Sequence, residues 1–82
     1  MVKQVMGIQI GDREKDAAKV QELLTKYGCI IKTRLGLHET DNICSSNGLI
    51  ILEFQNGSFE KANELKVELE KLESIKTRMM EF

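Results

Sequence analysis

"CIIKTRLGLHETDNICSSNGLIILEF", Cys29 to Phe54, decides the fold. Its first part alternates, so that Cys29, Ile31, Thr33, Leu35 and Leu37 share one face of an extended chain and Ile30, Lys32, Arg34, Gly36 and His38 the other. Its last part, Leu49 to Phe54, is an apolar run of strand length. Between them Thr40 to Gly48 is rich in turn formers. Two strands therefore follow one another through a turn, without a helix between them.

Upstream, in "KQVMGIQIGDRE", Met6, Ile8 and Ile10 alternate with Val5, Gly7 and Gln9, a strand that stops at Gly11. Asp12 suits a helix N-cap, and Glu14 lies in the first turn, where negative charge favours the helix dipole. Ala17, Val20, Leu23, Leu24 and Tyr27 recur at helical spacing, and Gly28 stands where a left-handed residue ends a helix. Downstream, Asn56 and Gly57 break the strand, and Ser58 can cap a second helix with Phe59, Ala62, Leu65, Leu69 and Leu72 on its inner side. A last strand runs from about Ile75 to Phe82.

The order is βαββαβ. With right-handed crossovers it gives an α+β ferredoxin-like plait, a four-stranded antiparallel sheet of spatial order 4-1-3-2 with both helices on one face. The turn at Gly11, Asp12 and Arg13 and the connection between the second and third strands then share one end of the sheet.

Eighty-two residues, without proline or a low-complexity tract, are read as one domain over 1–82. A chain this short buries only about 60–65% of the surface it exposes unfolded, so a second copy would add stability. No apolar run approaches the roughly 20 residues of a membrane span, and Lys3, Gln4, Gln9 and Asp12 interrupt any signal-like stretch; the expectation is a cytoplasmic protein with no membrane partner. In that compartment the two cysteines, Cys29 and Cys44, are expected as free thiols, with Cys29 turned to the core. A formal net charge of −1 lacks the clustered cations of direct nucleic-acid binding.

If Ile50, Leu52 and Phe54 face the helices, Leu49 and Ile51 point outward, joined by Val5, Ile30, Met80 and Phe82. Such a patch on an open sheet face fits a homo-oligomer, dimer or tetramer, since two-fold pairing uses one patch twice. The alternative is an ordinary solvated face covered by the aliphatic stems of Lys32, Arg34, Lys76 and Arg78.

"GIQIGDR" superficially resembles the phosphate-cradling loop of acylphosphatase, but its spacing is one residue off and Asp12 brings negative charge to the anion's place. One histidine supports no nucleophilic triad, and the outward residues Val5, Gly7, Leu49 and Ile51 provide no aromatic platform for RNA. The chain is therefore not read as an enzyme. His38 and Cys44 supply a nitrogen and a sulfur ligand, with Asp41 or Glu39 nearby; a closed metal site wants about four ligands, so this one would need a second chain.

"DREKDAAKVQELL", "RLGLHE" and "NGSFEKANELKVELEKL" together make the chain resemble the iron-only hydrogenase system regulators, small ACT-like proteins, over nearly its whole length. Asp12–Arg13–Glu14 and Arg34–x–Gly36 fit best; Glu73–Ser74–Ile75 departs from that family's Gly-Val before the last strand. The resemblance implies a regulatory role, oligomers and a protein partner. It places a small effector at Gly11, Asp12 and Arg13, with Arg34 and Gly36 as further contacts. More distantly, the chain is similar to the ligand-binding domain of the nickel-responsive repressor, whose last His and following Cys match His38 and Cys44, while Gly36 stands where another His ligand would be. The effector so implied is a transition metal ion or a small amino-acid-like molecule. A purely structural interaction module without a ligand is the alternative, and an acylphosphatase-type enzyme a more distant one.

Overall fold

The computed structural model describes residues 3–37 and 48–82. It contains β1 (Gln4–Ile10), α1 (Arg13–Lys26), β2 (Ile31–Leu37), β3 (Gly48–Phe54), α2 (Phe59–Glu70) and β4 (Ile75–Glu81). The strands form one antiparallel sheet in the order β2-β3-β1-β4, the order expected from the sequence.

Strand alternation divides the sheet into two chemically different faces. Met6, Ile8 and Ile10 on β1, Ile50, Leu52 and Phe54 on β3 and Ile75 on β4 are buried, and they pack against Val20 and Leu24 of α1 and Ala62, Leu65 and Leu69 of α2. Both helices therefore stand on this one face. The outer helical positions, Phe59 among them at 39% exposed, stay in water.

Asp12 caps α1 through its carboxylate, which accepts from the Lys15 N–H at 3.2 Å. Ser58 takes the corresponding place before α2 but makes no side-chain capping bond. Gly57 adopts φ 81, a conformation that costs a side-chain-bearing residue, and closes the β3–α2 turn. Gly28 does not end α1 as a left-handed residue. Instead a 3-10 turn runs over Gly28–Ile30, with the Ile30 N–H donating to the Tyr27 carbonyl at 3.1 Å.

That turn changes the reading of β2. The strand starts at Ile31, Cys29 is exposed, and both Ile30 and Ile31 pack toward the core. Ile31 pairs with Phe54 but Thr33 pairs with Glu53, so a bulge takes up Lys32 and the alternation shifts by one residue. Thr33 and Leu35 consequently join the open face, whereas Arg34 and Gly36 sit opposite Leu52 and Ile50 on the helix side. Strict alternation from Cys29 places each of these four on the wrong face, because it has no means of anticipating one unpaired residue.

Ile10 pairs with Gly48 and Leu49 with Leu37, so the exits of β1 and β2 and the start of β3 share one end of the sheet. This is the end at which α1 begins.

Candidate functional site

The open face is built from cross-strand rows. Leu35, Ile51, Gly7 and Arg78 form one row, and Thr33, Glu53, Val5 and Met80 the next toward the chain termini. Leu49, Gln9 and Lys76 align on the other side of Gly7, and Lys3 exchanges backbone hydrogen bonds with Phe82 at the lower edge. Leu35 is 52% exposed, Leu49 38%, Met80 55% and Phe82 70%. Apolar groups thus occupy two diagonal corners, Leu35, Leu49 and Ile51 in one, Val5, Met80 and Phe82 in the other.

Charge on this face is uneven. Glu53 accepts from Thr33 Oγ1 at 3.0 Å and pairs with Lys3 at 3.1 Å, and the Lys3 contact above all holds its carboxyl below the usual range. Lys76 and Arg78 lie two residues apart on β4, and no ion pair joins either to a carboxylate among the described residues. Arg78 gives one guanidinium N–H to the Thr77 carbonyl at 2.7 Å. Between these cations and Leu49 the missing side chain of Gly7 leaves a shallow hollow of about 290 Å³, completed by Gln9.

The start of α1 is a separate, tightly tied corner. The Gly11 N–H donates to the Ser74 carbonyl at 2.8 Å, and a Cβ at Gly11 would meet that oxygen at 3.1 Å. Asp16, 5% exposed, accepts from both the N–H (3.0 Å) and the hydroxyl of Ser74, which lowers its pKa. Lys15 pairs with Glu73. The α2–β4 turn is thereby fastened to the β1–α1 turn.

Gly11, Asp12 and Arg13 thus stand together at the end of β1, the last as the first residue of α1. Arg34 and Gly36 stand on β2, with β3 between the two strands; Arg34 donates to Gln21 of α1. The carboxylate of Asp12 occupies the N-terminal amide that a phosphate-cradling loop offers to its anion. His38 and Cys44 lie outside the described residues, among which no three His, Cys, Asp or Glu side chains are grouped to hold a metal ion. The sequence reading took Lys76 and Arg78 only as covering stems and passed over Gly7. Their signal was present nonetheless: two cations at spacing two, on a strand pairing with the one that carries Gly7.

The topology and the sheet with one bare face define a ferredoxin-like βαββαβ fold. The chain superposes on an uncharacterized protein from Thermotoga maritima, 20% identical, over 100% of this chain and 99% of that one with a TM-score of 0.77. The ligand-free regulatory subunit of aspartate kinase from Thermus thermophilus, 18% identical, matches 96% of this chain with a TM-score of 0.64; the chain spans 50% of that subunit. A dimeric ferredoxin-like protein from an uncultured marine organism, 7% identical, matches 99% of this chain and 92% of its own length with a TM-score of 0.50. These likenesses establish the fold. No family model and no curated protein matches the sequence.

Proposed function

We propose that this chain is a small regulatory module that pairs with a second copy through its open sheet face and responds to a small effector by a change in that pairing. One observation carries the reading: of six exposed large hydrophobic side chains among the described residues, four, Leu35, Leu49, Met80 and Phe82, lie on the face the helices leave bare. Two-fold pairing would bury the same groups twice. An effector with higher affinity for the paired form shifts the equilibrium by that difference in affinity. The ligand-free regulatory subunit and the dimeric plait among the structural neighbours are consistent with such a role.

Sedimentation of the purified chain across a concentration series, with and without added amino acids and transition metals, tests the reading. Concentration-dependent pairing is expected, and a monomer throughout the millimolar range overturns it. The amino-acid arm addresses the corner at Gly11, Asp12 and Arg13 with Arg34 and Gly36. The metal arm addresses His38 and Cys44, and a metal-induced shift that survives His38→Ala removes them from the site. The sequence resemblance makes an iron-only hydrogenase system the first regulated partner to test by co-purification.

A further inference from the structure

Among the described residues, Lys3, Lys76 and Arg78 stand on the open face and Lys32 of the bulge also acts on its carboxylate, Glu53, so positive charge is in excess there on a chain whose net charge is −1. Glu53 is already engaged by Lys3 and Thr33, so among the described residues no carboxylate of this face is left for Lys76 and Arg78, although Arg78 also feels the charge of Glu70 on α2. On an extended strand, side chains two residues apart stand about 7 Å from one another, and like charges at that separation repel. In a lone copy, water screens them. Pairing through this face would take the charges of both copies out of water, and a charge desolvated without a partner opposes association.

Between them lies the hollow at Gly7. A Cβ at Gly7 would meet only Ile51 Cδ1, at 3.8 Å, an ordinary contact. Sheet packing therefore does not require the absence of a side chain there, and β1 would pair at least as well with a β-branched residue in its middle. What the glycine does provide is open space of about 290 Å³ beside two cations and the Gln9 amide. That is near the lower end of the roughly 300–1,000 Å³ of small-molecule sites.

We infer that this hollow binds a small oxyanion, the carboxylate or phosphate group of a small molecule, and that the anion couples to pairing by neutralising Lys76 and Arg78 as the two sheets meet. Arg78 offers its remaining guanidinium N–H groups, Lys76 its ammonium and Gln9 its amide, a donor set suited to an oxyanion. The backbone of Gly7 is committed to β3 and β4, so side chains do the recognition. This deepens the pairing reading and rests on it for the coupling, though not for the binding itself.

The test holds ionic strength constant and compares sodium chloride, inorganic phosphate and succinate. Sedimentation reports pairing, while the backbone amide shifts of Gly7, Gln9, Lys76 and Arg78 report binding. Phosphate, succinate or both are expected to tighten pairing roughly tenfold over chloride, within the usual range of coupling between two ligands, and the arm that responds identifies the anionic group. Lys76→Met with Arg78→Gln should pair in chloride alone and lose the response. Gly7→Val, which fills the hollow, should keep its melting temperature and lose the response too. Equal pairing in all three salts overturns the coupling and leaves pairing standing. A chain that never pairs but shows saturable shifts at those four amides loses the pairing reading and keeps the anion site. Absence of both responses, or amide shifts unchanged in the double variant, overturns the site.

Discussion

Leu35→Ser puts the register of β2 and the use of the open face to one test. With Leu35 directed to the core, as unbroken alternation would have it, its loss would cost about 2–5 kcal/mol of folding stability. The structure places it opposite Ile51 on the open face, 52% exposed. Full burial of a leucine stabilises by roughly 1.5–3 kcal/mol, and about half of that is realised within one copy, so the substitution should cost no more than about 1.5 kcal/mol in a dilute urea titration. Pairing would bury the other half, once in each copy. The dimer should therefore lose about 1.5–3 kcal/mol, a weakening of roughly 10- to 150-fold in its dissociation constant. Urea unfolding at low micromolar concentration and sedimentation at high concentration separate the two quantities. A folding loss above about 2 kcal/mol would refute the bulge at Lys32, and an unchanged association constant would refute the paired face.

Leu65→Ala removes a fully buried side chain between α2 and the sheet and should lower unfolding stability by about 2–5 kcal/mol in the same urea assay. Gly57→Ala introduces no clash, since nothing lies within 4 Å of its Cβ, but forces φ 81 on an L residue; a loss of roughly 1–2 kcal/mol is expected from the backbone alone. The Ser74 hydrogen bonds depress the pKa of Asp16 below its unfolded value, so their stabilising contribution is complete above the ordinary carboxylate range and disappears as pH falls through the depressed value. Asp16→Asn should accordingly be less stable than the wild type at neutral pH, with the difference in melting temperature shrinking below about pH 4.

The topology was legible because it rests on periodicities that tertiary context rarely overturns: the alternation of Met6, Ile8 and Ile10, the helical spacing of Val20 and Leu24, the spacing of Ala62, Leu65 and Leu69. Asp12 was legible as a cap because its carboxylate acts locally. Arg34 and Leu35 changed faces because a bulge depends on the partner strand, of which residues 29–37 carry no trace. Asp16 did not stand out in the sequence, since its partner Ser74 lies 58 positions away. The hollow at Gly7 was hidden for a similar reason. It needs β1 and β4 in register, and neither strand alone shows it.

Everything from Thr33 to Gly36 takes its side of the sheet from the bulge at Lys32 rather than from its own chemistry. Were Lys32 to pair with Glu53 in place of being left over, Leu35 would turn inward and Arg34 outward, exchanging grease for charge on the bare surface without any substitution. Among relatives of this plait, a strand of the same length without the bulge would suffice to change what the surface can meet.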